Sequence, residues 1–321
     1  MLDVKPTTIR SWSMLGTRGT FGVALLELAH QYPEIIAMSA DLRQTSGLDR
    51  FSAAYPERFF NAGIAEQNMV GVAAGFAASG FVPFATSFAN FLSLRSCEQV
   101  RHYMGYMGEN IKLVGLASGF AMGTFGATHH GIEDIASIRA IAGITILSPA
   151  DCAETVKMTE AALHFDGPVY LRLTGGMRTP IVYKNDYELR IGQAITLRDG
   201  GDIAIVATGS MVYYALKAAE KLAERGIEST VINMHTIKPL DTTALDLQLD
   251  KKLIVTVEEH SIIGGLGGAV AEHLTSKDKK PQQVIVGIPQ GYIDAGDYGY
   301  LLAQCGLTTD GIVDSVLRHY G

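Results

Sequence analysis

Apolar positions along this chain switch between two periods. From Thr20 to Gln31 they fall at Phe21, Ala24, Leu25 and Leu28, the spacing of a helix, which Tyr32-Pro33 ends. Ile35-Ile36-Ala37-Met38 reads as a buried strand. An irregular segment after Pro56 leads into a helix rich in small residues, with Gly71, Gly75 and Ala78 on one face for close packing. Phe81 to Ala85 is a strand interrupted by Pro83, and Ser93 to Met107 a helix with Val100, Tyr103, Met104 and Met107 inward. Strands at Lys112–Ala117, Ile144–Leu147 and Pro168–Leu173 alternate with helices at Ile132–Ala142 and from Asp151, a capping residue, to Phe165. Strand–helix alternation of this kind predicts an α/β fold with a mostly parallel sheet covered on both faces.

Between Thr174 and Leu189 the pattern breaks at Gly175-Gly176 and Pro180. A second alternation follows: strands at Asp202–Ala207, Ser229–Asn233, Leu253–Val257 and Val284–Ile288, and helices at Met211–Arg225, Gly264–Leu274 and Thr308–His319, with Lys238-Pro239-Leu240-Asp241 starting a short one. Two doubly wound, mostly parallel-sheet domains are therefore expected, over about 1–185 and 190–321.

Composition narrows the function. The 321 residues are 47% hydrophobic and 18% charged, enough for a sizeable core. A net charge of -7 with no basic run beyond Lys279-Lys280 argues against nucleic acid. Cys97, Cys152 and Cys305 are odd in number and widely spaced, which suggests reduced thiols and not a disulfide framework or metal cluster. Met1 to Arg10 lacks the apolar core of a signal peptide, and no apolar run reaches membrane length. The expectation is a cytoplasmic protein without a membrane.

Candidate chemistry gathers at strand ends. Phe59-Phe60-Asn61-Ala62-Gly63-Ile64-Ala65-Glu66-Gln67-Asn68 places Glu66 in the first turn of an apolar helix with few charges nearby. A carboxylate buried there without a cationic partner shares a proton near neutral pH; an acid complementing the helix dipole is the other reading. Asp41 follows a strand, where open α/β sheets place ligand groups. Phe88 and Phe91, just past another strand, offer faces on which a planar ring could stack. His129 and His130 are adjacent, so they point apart and do not chelate one metal; a loop histidine beside glycines suits proton transfer or hydrogen bonding. Gly264-Gly265-Leu266-Gly267-Gly268 lacks phosphate-loop spacing and reads as close packing.

Six segments together resemble the transketolase family, in particular the separately encoded C-terminal chain of split transketolases. They are Gly16-Thr17-Arg18, Ser39-Ala40-Asp41-Leu42, Gly63 to Asn68, Phe88-Ala89-Asn90-Phe91 with Glu98-Gln99-Val100-Arg101, Gly126-Ala127-Thr128-His129 with Ile132-Glu133-Asp134-Ile135-Ala136, and Thr256-Val257-Glu258-Glu259-His260. The resemblance implies a pyrimidine-binding domain, a transketolase C-terminal domain and thiamine diphosphate. Glu66 would hydrogen-bond the aminopyrimidine N1′, with Phe88, Phe91 and Asp41 on the cofactor side. His129 would face the reacting carbonyl, and Arg18 and Thr45 the substrate. The activity implied is transfer of a two-carbon ketol unit from a ketose to an aldehyde.

The family's Gly-Asp-Gly diphosphate and magnesium motif is absent, since Gly201-Asp202-Ile203 and Gly296-Asp297-Tyr298 do not qualify. The resemblance therefore implies an N-terminal partner chain that holds Mg2+ and the diphosphate, in an α2β2 heterotetramer. Ala117, Thr124-Phe125 and Gly175 stand where many relatives carry histidine, acidic and arginine residues. Their loss implies an atypical donor or acceptor, such as an unusual or sulfonated sugar. The rival readings are the beta subunit of a 2-oxo acid dehydrogenase and a non-catalytic partner protein.

Overall fold

The computed structural model describes residues 4–320, so part of the Met1–Arg10 stretch lies outside the described residues. Among these residues twelve strands form two sheets. The N-terminal half contributes β1 (Ile35–Ser39), β2 (Phe59–Asn61), β3 (Val82–Phe88), β4 (Lys112–Ser118), β5 (Thr145–Leu147) and β6 (Val169–Thr174). The C-terminal half contributes β7 (Ile195–Arg198), β8 (Ile203–Ala207), β9 (Ser229–Asn233), β10 (Thr236–Lys238), β11 (Leu253–Ser261) and β12 (Gln282–Ile288). The seven-stranded sheet has the order β10-β5-β6-β4-β3-β1-β2 and the five-stranded sheet β12-β11-β8-β9-β7. Pairing is parallel except for β10 on β5 and β7 on β9.

β1, β4 and β6 are buried at every residue, as near-continuous apolar runs inside a parallel sheet must be. Pro83 does not interrupt β3. The first pair between β3 and β4 is Phe84 with Lys112, so Pro83 sits at the strand start, where its missing N–H removes no ladder bond on that side.

Helices cover the sheets. Those near the site are α1 (Pro6–Ala29), α2 (Asp49–Ala54), α3 (Glu66–Ala78), the single turn α4 (Cys97–Gln99) and α5 (Asp134–Arg139). α1 extends well before the predicted Thr20 and is kinked at Gly16, whose φ is 77°. A Cβ there would meet the Gly176 carbonyl oxygen at 2.3 Å, so only glycine permits this approach. The stretch predicted as one helix from Ser93 to Met107 has π-helical turns at Phe91–Arg95 and Val100–Tyr106 on either side of α4. The wider turns rotate its face: Val100 and Met104 are buried, but Met107 points outward. In α3, Gly71 meets the Tyr103 ring, whereas nothing lies within 4 Å of a Cβ on Gly75. The small-residue face expected for internal packing is thus left open in part.

The remaining helices are α6 (Cys152–His164), α7 (Met211–Ala223), α8 (Thr242–Asp246), α9 (Leu266–Thr275), α10 (Tyr298–Gln304) and α11 (Thr309–His319). Asp151 caps α6 as predicted, its Oδ1 accepting the Glu154 N–H at 2.9 Å. Lys238 ends a strand and does not begin a helix. β10 returns from the second half to pair with β5, so the two halves share the first sheet.

A buried charge cluster binds the halves together. Asp134 Oδ2 accepts from Arg172 Nε at 2.8 Å and from the Tyr170 hydroxyl at 2.7 Å. Arg172 also donates to the carbonyls of Gly131 and Glu259. The glycine run Gly264 to Gly268 is close packing, as expected: Cβ atoms at Gly264 and Gly267 would overlap Ala136 and Ile285. The anion at this helix start is internal, since Glu258 accepts the Leu266 and Gly267 N–H groups at 2.7 Å each.

Burial pushes the Glu258 carboxyl from the ordinary 4.5 up to about 7, against those two N–H groups. The raised value means that the folded chain holds this proton more tightly than the unfolded chain. The stability it contributes is present below the unfolded value and is lost as pH rises through about 7. Between pH 6.5 and 8 the loss is about 1 kcal/mol. Melting temperatures taken across that window should fall for the wild type and stay flatter for Glu258→Gln. Equal slopes would remove Glu258 as the source.

Candidate active site

The site forms at the C-terminal edge of the first sheet, where β1, β3 and β4 end. Asn61 shapes the approach to α3: its Oδ1 accepts the N–H of Asp41 at 2.9 Å and of Gly63 at 3.1 Å. Gly63, with φ 70°, supplies the left-handed turn before the helix. Glu66 is the first residue of α3 and only 2% exposed. One carboxylate oxygen accepts from the Ser87 hydroxyl at 3.2 Å.

The other oxygen is 2.8 Å from Arg95 Nη1. This corrects the expectation of a buried carboxylate without a cationic partner. Arg95 lies at the end of the π-helical turn that starts at Phe91, and its guanidinium stacks 3.9 Å from the Phe91 ring centroid. The four-residue offset puts a cation over a ring on one helical face. Nothing in the sequence identifies Glu66 as its partner, because the two are joined only by tertiary contact.

Phe88, Phe91 and His129 form an edge-to-face cluster. Ring centroids are 5.6 Å apart for Phe88–Phe91, 5.6 Å for Phe88–His129 and 5.4 Å for Phe91–His129. Phe125 adds a fourth ring 5.1 Å from His129 and stands 60% exposed. Asn90 ties the histidine loop down by donating to the Thr128 carbonyl at 2.7 Å. Its buried Oδ1, like the nearby Ser93 hydroxyl, has no hydrogen-bond partner among the described residues. His130 turns the other way, buried against Phe120 and the Gly123 carbonyl. Among the described residues, no group of three His, Cys, Asp or Glu side chains is placed to hold a metal ion.

Arg18 and Thr45 line a separate open pocket of about 340 Å³ with Leu15, Gly19, Gln44 and Gly47. It is built by Gly22 of α1 lying so close to Gly47 that a Cβ would meet the Gly47 oxygen at 2.1 Å. Burial lowers the Arg18 pKa from its ordinary value. Among the described residues no carboxylate pairs with Arg18. Such a cation is available to an anionic ligand. Asp41 is exposed, with φ 60°, and is held by Asn61 at the rim. The structure thus groups Glu66, Phe88, Phe91 and His129, and it sets Arg18 with Thr45 apart from them. Ala117, at the end of β4, adopts φ 52°, a left-handed conformation costly for a residue with a Cβ. Gly175 is buried at a φ of 77° in the turn after β6.

A planar, nitrogen-bearing hydrogen-bond donor already rests between Glu66 and Phe91, in the shape of the Arg95 guanidinium. The wedge therefore suits a flat heterocycle with a ring nitrogen facing the carboxylate.

Residues 13–177 match the family described as the transketolase pyrimidine binding domain, and residues 192–312 the transketolase C-terminal domain. One of the two chains of the apulose-4-phosphate transketolase of Phocaeicola vulgatus is 40% identical over 95% of this chain and 98% of its own. The 6-deoxy-6-sulfo-D-fructose transketolase chain SqwH of Clostridium sp. is 42% identical over 92% of each. A solved split-gene transketolase, described as an inactive beta4 tetramer, superposes with a TM-score of 0.84 at 38% identity, covering 95% of this chain and 98% of that one.

Proposed function

The chain belongs to the transketolase family, and we propose that it is the pyrimidine-side subunit of a two-chain enzyme that moves a two-carbon ketol unit from an atypical ketose to an aldehyde. The observation that carries this reading is Glu66, buried at the start of α3 and facing the Phe88–Phe91–His129 cluster. Thiamine diphosphate, when bound, supplies the carbanion chemistry that the side chains lack. Glu66 holds the hydrogen bond to the pyrimidine nitrogen. Phe88 and Phe91 pack against the ring and keep water from it. His129 hydrogen-bonds the oxygen of the reacting carbonyl, on which negative charge develops.

Arg18 and Thr45 take the far end of the substrate, and Asp41 closes the cofactor-side rim. With Gly175 and Ala117 in place of longer polar groups, Arg18 alone supplies the cation, which favours a ketose with a single anionic group. Mg2+ and the diphosphate fall to a partner chain with the Gly-Asp-Gly motif. Support for such a partner is the apolar surface left open beside the site: Ile64 is 77% and Leu94 52% exposed, each close in sequence to Glu66 or Arg95. Covering both chains' faces by symmetry gives the α2β2 assembly. No helix among the described residues is long and apolar enough to cross a membrane.

The test is a donor–acceptor screen on the complex reconstituted with the partner chain, thiamine diphosphate and Mg2+. Aldehyde-dependent consumption of a ketose is expected. Release of carbon dioxide from a 2-oxo acid would instead make the chain part of a dehydrogenase, and no cofactor-dependent turnover would favour a non-catalytic role. Within that assay His129→Ala should lower kcat about 100-fold. Its melting temperature should barely move, since His129 sits half-buried on a loop. Unchanged kcat would remove His129 from the reaction.

A further inference from the structure

The Arg95–Glu66 contact is unexplained by the proposed chemistry, and at first sight it opposes it. Glu66 has to present an oxygen to the pyrimidine nitrogen, and Phe91 has to present a ring face. In this chain both are taken by one guanidinium, 2.8 Å from the carboxylate and 3.9 Å from the ring centroid. Guanidinium and aminopyrimidine are both flat, both donate N–H to a carboxylate and both stack on aromatic rings. They cannot fill the same wedge together.

We propose that Arg95 is a built-in stand-in for the aminopyrimidine: it covers Glu66 and Phe91 in the cofactor-free chain and swings off both when the cofactor enters. This rests on the assignment of Glu66 and Phe91 to the cofactor. The local build permits the swing. The Arg95 side chain is 44% exposed, so solvent lies along its way out. Its backbone is anchored separately, the Arg95 carbonyl accepting from Gln67 Nε2 at 3.0 Å. It ends a π-helical turn, a device that recurs at functional sites. Ser87 keeps its own bond to the other Glu66 oxygen and holds the carboxylate in place throughout.

The stand-in has a physical use. Glu66 is almost wholly buried, and a buried charge left unpaired is costly. A movable counter-ion lets the chain fold and persist before assembly. The consequence is that only the Arg95-out fraction of the chain is competent, and the apparent cofactor affinity falls by that fraction. A partner chain that favours the outward position raises affinity, which ties cofactor loading to assembly.

The experiment titrates thiamine diphosphate, with Mg2+, into the cofactor-stripped two-chain complex by calorimetry, for wild type, Arg95→Met and Arg95→Lys. Melting of the isolated chain and of the loaded complex is recorded in parallel. Arg95→Met should bind roughly tenfold more tightly, with Arg95→Lys between it and the wild type, since Lys lacks the planar fork. The isolated Arg95→Met chain should melt about 2–4 °C lower, while the loaded complexes melt together, because the contact is absent once the cofactor is in. Equal or weaker binding by Arg95→Met, or a loaded complex that loses as much as the isolated chain, would make Arg95 a fixed strut and overturn the proposal alone. A wild-type complex that binds no thiamine diphosphate would overturn the functional reading with it.

Discussion

Replacing Glu66 by Ala should abolish ketol transfer in the reconstituted complex, with kcat reduced roughly 10³-fold or more. Glu66 is the one carboxylate in the wedge among the described residues, and its two oxygens meet Ser87 and Arg95. No neighbouring acid is placed to take over: Asp41 is at the exposed rim, bonded to Asn61. Glu66→Gln should fail nearly as completely, because an amide keeps the shape of the side chain but not its ability to hold a proton at oxygen. Neither change should prevent assembly. Arg95 is close to half exposed, so removing its partner costs no more than about 1 kcal/mol. The measurement is kcat of complexes matched for mass by light scattering. Turnover close to wild type in correctly assembled Glu66→Ala would remove thiamine-type catalysis from this site.

The largest effect on stability should come from Arg172→Met. Arg172 and Asp134 are 1% and 0% exposed, and the guanidinium also satisfies two backbone carbonyls, one of them that of Glu259 in the C-terminal half. Burial alone would push the Asp134 carboxyl upward. Arg172 and His260 outweigh it and hold the group below the ordinary carboxylate range. Taking away the cation leaves a buried charge unpaired, at a cost of about 3–5 kcal/mol. The melting temperature should drop by roughly 5–15 °C. The sign with pH follows from the lowered value: the pair's contribution is full above the unfolded pKa of Asp and is lost as pH falls through the folded one. Arg172→Met should therefore lose part of the wild type's acid sensitivity. The double variant Arg172→Met with Asp134→Asn should be less unstable than the sum of the single changes. Additive losses would mean that the two residues act independently.

Both predictions concern features of unequal legibility in the sequence. The strands at the centre of both sheets are readable because buried parallel strands are short apolar runs, and Ile35–Ser39 or Ile203–Ala207 could hardly be anything else. β2, β7 and β10 are three or four residues long, sit at sheet edges and carry no such run. Pairing with a neighbour across the chain creates them. The kink at Gly16 depends on a close approach to Gly176, which no local pattern records. In the site, Glu66, Phe88, Phe91 and His129 are legible from their places at strand and helix ends, and they converge in space. Arg95 is not, because a lone arginine on a helical stretch is usually solvated. Its role shows only when Glu66, 29 residues away in sequence, is seen across the wedge. The same gap explains the expectation of an unpaired carboxylate, since local sequence can show burial but not the counter-ion.

The central claim is that this chain carries half of a thiamine-dependent site and that a second polypeptide completes it. Its most direct test is to recover the chain from its own cell extract, identify what comes with it, and titrate thiamine diphosphate into the recovered assembly and into the chain alone. The account predicts a partner carrying Gly-Asp-Gly with a downstream Asn, and cofactor binding by the assembly but not by the isolated chain. A chain recovered alone, or an assembly that binds no thiamine diphosphate, would contradict it.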